Sequence, residues 1–246
     1  VKQPLKIIGS VGQLSATGTT FGLYYLGKEL LPALERRLGN QQFEIHLYGG
    51  GTPRPLVAQY LQHPEIKIRG YVPDLAKEIF SAPIFLTLNN SSREFQVAHA
   101  RLFNAWSLGA CVVAHTNEAR CVSEFEHMKN ALLGGTPEEI ADLIVMASQD
   151  HALRRRIGEG GRETFTKHFV RGAVVPKLLA ELEWARQKGR HQLSSTPWRH
   201  RAGVRHPMFP GVFRTACSSS ETGTRSRAAS GHSVMSVALR TMMGWF

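Results

Sequence analysis

The stretch that most limits what this chain can become is Gln96 to His115, QVAHARLFNAWSLGACVVAH. Val97, Arg101, Asn104 and Leu108 recur at helical intervals, and so do Leu102, Ala105 and Trp106 around them. Gly109 then supplies a helix stop, because glycine enters the left-handed region without a Cβ penalty. Cys111 to Ala114 is a short continuous apolar run, the mark of a strand covered on both faces. Pro83 to Leu88 is a similar run upstream, so strand, loop, helix and strand make a βαβ crossover. In open α/β sheets ligands sit at the carboxyl ends of the strands and against helix N-termini. The loop Asn89 to Gln96 lies at such a place, and function is expected there first.

The rest of the chain repeats that alternation. Strands are expected at Pro4–Val11, Phe43–Tyr48, Ile66–Val72, Pro83–Leu88 and Ala110–His115. Helices are expected at about Thr20–Leu38, with Pro32 kinking or splitting it, at about Pro55–Gln62, and from Asp74 to Ala82. After His115 the periodicity is helical. Thr136-Pro137-Glu138-Glu139 opens a helix to about Ser148, Asp150 opens another to about Gly158, and a long final helix, with a break near Val170–Gly172, ends around Gly189. Strands alternating with helices predict an α/β fold with a doubly wound parallel sheet over residues 1–189, closed by C-terminal helices.

Composition separates residues 190–246 from that domain. Of the net charge of +11, these residues carry +7, from eight Arg, no Lys and the single acid Glu221. The preceding 189 residues carry only +4, so the basicity is no argument for a specific nucleic-acid surface on the folded part. The tail reads as disordered or of low order, and either lies out of the natural reading frame or is a genuine basic tail. The three cysteines, Cys111, Cys121 and Cys217, lack metal spacing, and Cys111 reads as a buried, inert thiol. A reducing, cytoplasmic location is expected. No run approaches the roughly 18 apolar residues of a membrane span. The first residue is Val1 rather than Met, which suggests a piece of a longer protein.

Self-contained catalytic motifs are missing. The loop Gly12–Thr20 joins a strand to a helix and could hold a phosphate, or be an ordinary connection; it has neither the P-loop arrangement nor GxGxxG. Gly49-Gly50-Gly51 allows close backbone approach at a second strand end or is a tight turn. Tyr71 either lines a base pocket at the third strand end or is a rim aromatic. His99 lies on the first turns of the central helix, as a site residue or as a solvent-facing one. No HExxH, no GxSxG, no Ser-His-Asp order and no paired carboxylates stand out, and no metal site or cofactor is expected.

Taken in order, PLKIIGSVG, FGLYYLGKELLPALERRL, FEIHLYGGG, IKIRGYVPDL, APIFLTLN, ARLFNAWSLGACVVAH, NALLGGTPEEIADLI and LRRRIGEGGRETFTKHF resemble the C-terminal, nucleotide-sugar-binding domain of GT-B glycosyltransferases, family 4 or group 1. The resemblance covers most of residues 4–170. It implies the Rossmann-like half of a GT-B fold and a hexosyltransferase-type, retaining enzyme that takes a nucleotide-diphosphate sugar. It also implies an N-terminal acceptor domain that this chain lacks, so that the chain alone would be an inactive fragment. Peripheral association with a membrane is compatible with it.

The resemblance also implies site residues, with departures. The family carries Glu-x7-Glu, its second acid five residues before the glycine. Counted back from Gly109, the second position is Asn104 and the first is Gln96, so both acids are amides here; Glu94 is the alternative acid if the loop is shifted. Gln96 would stand at the reacting centre, as the candidate catalytic residue, and Asn104 at the ribose. Gly12, Gly18, Thr19, Tyr71, Val72, Val97, Ala98, His99 and Arg101 complete the expected donor site. Family members often place an Arg and a Lys of the first loop on the diphosphate. Here Gln13 and Thr19-Thr20-Phe21 occupy that region, and Arg101 is either the replacement cation or part of a structural ion pair. The rival reading is a non-catalytic GT-B-like module whose donor site has degenerated.

Overall fold

A computed structural model describes residues 4–39, 41–92 and 100–194. Gln96, Val97, Ala98, His99 and the tail from residue 195 lie outside them. Six strands form one parallel sheet: β1 Leu5–Val11, β2 Phe43–Tyr48, β3 Ile66–Gly70, β4 Ile84–Thr87, β5 Val112–His115 and β6 Leu132–Gly134. Their order is β3-β2-β1-β4-β5-β6. Ile7 of β1 is in register with Ile45 of β2 and Ile84 of β4. The strand order therefore reverses between β1 and β4, the switch point of a doubly wound sheet.

Alternation along the strands divides the core into two layers. Ile7, Ile45, Leu47, Ile84, Leu86, Val113 and Leu132 face one way, where they meet helices α1 Thr17–Tyr25, α2 Leu31–Leu38 and α6 Pro137–Gln149. Ile8, Tyr48, Phe85, Val112 and Ala114 face the other way, toward α4 Leu75–Ser81 and α5 Ala100–Ser107. Trp106 of α5 is fully buried there and donates its indole N–H to the Asn130 carbonyl at 3.0 Å.

Helix starts follow their cap chemistry. Asp74 accepts the Lys77 N–H at 2.9 Å, and Thr136 forms a complete capping box with Glu139. The first helix does not break at Pro32. A π-helical turn, Leu26–Leu30, precedes it, and the Leu31 N–H reaches back five residues to the Leu26 carbonyl. Pro32 thus falls in the first turn of α2, where a missing N–H costs little.

Other expectations change. The three-residue strand β6 is new, paired to β5 from Val113↔Leu132 to His115↔Gly134. Helix α7, His151–His168, continues through Gly158 instead of ending there. Its glycine serves close packing: a Cβ on Gly158 would stand 2.0 Å from the Gly109 carbonyl oxygen, where α7 crosses the end of α5. The break after α7 falls at Phe169–Val170, and α8, Arg171–Ser194, runs past Gly189. One glycine in a helix costs about 1 kcal/mol, too little to end it.

Candidate donor-binding site

The carboxyl ends of β1 and β4 are joined by one side chain. Arg101 leaves the first turns of α5, and its Nη1 donates to Ser10 Oγ of β1 at 3.2 Å and to Asn89 Oδ1, just after β4, at 3.5 Å. Its Nη2 donates to Thr19 Oγ1 in the first turn of α1 at 3.1 Å. The same nitrogen lies 3.7 Å from where a Cβ on Gly12 would stand, so the cation borders the glycine loop. All three acceptors are neutral, and no carboxylate among the described residues is within ion-pair distance of it. Burial pulls the Arg101 pKa down to about 10, opposed by the Glu118 carboxylate; the group stays protonated at neutral pH. Asn89 is itself buried, and its Nδ2 has no partner among the described residues. A fork of cationic donors and one idle amide donor thus meet at the switch point, an arrangement that suits an anionic oxygen ligand.

The backbone around that point is shaped by close approach. Gly12 has φ +110°, and its N–H donates to the Tyr48 carbonyl at 2.9 Å. Gly49 has φ +126°, and a Cβ there would stand 1.8 Å from the Gly12 carbonyl oxygen. The Gly49–Gly51 turn and the Gly12 loop are therefore fitted to each other. Gln13 Nε2 donates to Ser15 Oγ at 2.9 Å within this loop. Arg54, which sequence reasoning missed, binds the loop from the side: Nε donates to the Ser15 carbonyl at 3.0 Å and Nη2 to Thr17 Oγ1 at 3.1 Å.

The other expected residues spread along the same sheet edge. Gly18 and Thr19 are buried in α1. Tyr71 follows β3 and is 80% exposed, a rim position, while Val72 packs against the α4–α5 layer of the core. Asn104 is exposed on α5 one turn from Arg101. Cys111 is buried and its thiol is pushed up to about 12, in keeping with an inert side chain. A cleft of about 520 Å³ lies on the other face of α1 from Thr19, lined by Thr17, Thr20, Phe21, Tyr24, Arg54 and Ser91 among others. Arg101 is not among the residues that line it.

Among the described residues, one group of metal-type side chains comes together, at the opposite edge of the sheet. Glu35, His63 and Glu65 offer ligand atoms within 4.8 Å of one another. Glu35 meets Nε2 of His63 at 3.2 Å and Glu65 meets Nδ1 at 2.6 Å. The two carboxylates lie against opposite nitrogens of the ring, so the ring stands between them and the three groups do not converge on one ion.

The model of the glycosyl transferase-like family matches residues 27–180. The chain belongs to that family. Its fold matches one Rossmann-like part of the GT-B fold of solved glycosyltransferases. TarM of S. aureus superposes with TM-score 0.55 at 19% identity, over 70% of this chain and 34% of its own. HepE of Anabaena, solved with UDP and glucose, gives 0.54 at 17%, over 72% of this chain and 48% of its own. Sucrose-phosphate synthase from Thermosynechococcus elongatus gives 0.54 at 19%, over 72% and 46%. This glycosyltransferase-like chain therefore spans between a third and a half of the length of those proteins. No curated protein matches it. No helix among its described residues is long and apolar enough to cross a membrane.

Proposed function

We propose that this chain is the donor-binding half of a glycosyltransferase, and that it takes the diphosphate of a nucleotide sugar at the switch point between β1 and β4. The carrying observation is Arg101, a partly buried cation held by Ser10, Thr19 and Asn89 with no ion pair among the described residues. The UDP and UDP-glucose in crystals of HepE support the choice of ligand. As a sugar leaves its nucleotide, negative charge gathers on the diphosphate. Donors already fixed around it stabilise that charge without reorganising, an electrostatic role of the oxyanion-hole type. Gly12, Gly18 and Thr19 would line the phosphates, Asn104 the ribose, Tyr71 and Val72 the base, and Gln96 with Val97, Ala98 and His99 the sugar end. Transfer to an acceptor, with retention at the sugar carbon, would require an acceptor-binding domain as well.

Titration with UDP, GDP and ADP beside the matching nucleosides tests this. The expected result is that at least one diphosphate binds and that its nucleoside binds more weakly. A folded chain that ignores all three overturns the donor site. The amides at positions 96 and 104 motivate a second reading, a GT-B-like module with a degenerate site. Restoring Glu at both positions in the full-length protein separates the two. Activity appearing from nothing supports the degenerate module; activity unchanged or lost supports a site adapted to amides.

A further inference from the structure

Arg101 poses a question of charge balance. A guanidinium drawn out of water needs compensation, and three neutral acceptors supply only part of it. Among the described residues, the negative charge that acts on it is Glu118, in the 3-10 turn Thr116–Arg120 after β5. Glu118 is only 4% exposed, and both its oxygens are committed elsewhere. Oε1 accepts the Asn90 backbone N–H at 3.1 Å and Oε2 accepts Asn90 Nδ2 at 2.6 Å, while the Asn89 backbone contributes a further hydrogen bond. The carboxylate is thus bound to the β4 loop, and Asn89 of that loop presents Oδ1 to Arg101. Gly22 of α1 backs the same amide: a Cβ there would stand 2.6 Å from Asn89 Oδ1.

We infer that Glu118 is a positioning residue for Arg101. By clamping Asn89 and Asn90 at the end of β4, it holds the guanidinium beside the Gly12 loop on neutral acceptors alone, with donors left over for an anionic oxygen. A carboxylate in direct contact with Arg101 would fill the fork and close the pocket. No carboxylate at all would leave the cation without opposite charge and the loop without its anchor. The arrangement seen, charge at a distance and contact through a neutral amide, avoids both. This inference rests on the donor-diphosphate reading for its purpose, although the ordering of Arg101 can be measured without any ligand.

The experiment uses the whole 246-residue chain. Glu118→Gln keeps the shape and one acceptor oxygen but removes the charge and faces an amide with an amide. Asn89→Ala removes the link and leaves both charges in place, so it remains informative if the first variant does not fold. The first readout is the Arg101 Nη–H resonances without ligand, expected to exchange with water about tenfold faster in each variant, as when one hydrogen bond to a charged group is lost or loosened. The second is affinity for UDP and for uridine, with UDP weakened about tenfold and uridine unchanged. An unaltered Arg101 signal in folded variants overturns the inference. So does an equal loss of UDP and uridine, which would mark general loosening. Should the wild-type chain bind no nucleoside diphosphate, the donor reading fails by itself, and the Arg101 resonance still decides whether Glu118 orders it.

Discussion

Two polar clusters of this molecule are built on opposite plans. On the α4 side of the sheet, Lys6 Nζ meets Glu78 Oε2 at 2.6 Å, and Tyr48 donates its hydroxyl to the same oxygen at 2.5 Å. Next to it His46 Nε2 lies 2.7 Å from Glu44, which Arg69 reaches at 3.4 Å. There each charge touches its opposite. At the switch point Arg101 and Glu118 influence each other but do not touch, each held by neutral groups. Closed pairs spend their charge on the fold. The open pair leaves a directed cation beside a glycine loop, which is why the same residue types read as structure in one place and as a site in the other.

The largest expected effect attacks the open pair. Arg101→Ala should weaken UDP by about 100-fold, the usual cost of removing one buried, hydrogen-bonded charge from a charged contact. Uridine affinity should change little. Calorimetry with both ligands checks this, and an equal loss for both would place Arg101 among the structural charges. The closed pair should answer in the other currency. Lys6→Met should lower stability by about 1 kcal/mol, modest because both side chains keep some contact with water, and should leave UDP binding as it was. UDP titration of the two variants side by side therefore sorts the clusters.

Acidity sharpens the contrast, because the two carboxylates shift in opposite directions. Lys6 and then Tyr48 hold the Glu78 pKa below its ordinary 4.5. Its stabilisation is present above the unfolded value and lost as pH falls through the lower folded one. Burial raises the Glu118 pKa, against hydrogen bonds from Asn90 and the field of Arg101. Its contribution is fully present below 4.5 and is lost as pH rises through the raised folded value. Glu118→Gln should thus gain stability relative to wild type as pH rises across that window, and Glu78→Gln should lose it. Denaturation midpoints measured at several pH values report both slopes, and slopes of the same sign would erase the distinction.

Much of the frame was legible in the sequence because its signals are local. The apolar runs of the first five strands, the caps Asp74 and Thr136, and Gly109 with φ +69° all act within a few residues. The misses depend on distant partners. Leu132-Leu133-Gly134 becomes a strand only because β5 is open beside it, and Gly158 marks close packing against Gly109 rather than a helix stop. The site divides the same way. The loop from Asn89 and the cation Arg101 could be named from pattern and family resemblance, but their partners could not. Ser10 stands 91 residues before Arg101, and Glu118 stands 28 residues after Asn90. The one local hint was a pair of asparagines directly after a buried strand, a costly place for amides unless something satisfies them.

The smallest expected effect concerns Asn104, exposed on α5 one turn beyond Arg101. If it serves the ribose, Asn104→Glu replaces a neutral acceptor by a charged one. Such hydrogen bonds differ by about 1 kcal/mol, and exposure to water reduces that difference. A gain of about threefold in affinity is expected, equal for uridine and UDP because both carry the ribose. The equality is the informative part. If uridine gains while UDP loses, the new carboxylate repels the diphosphate, and position 104 then belongs to the phosphate pocket that Arg101 opens. If neither changes, α5 contributes its arginine alone, and the ribose is held from the other side of the switch point.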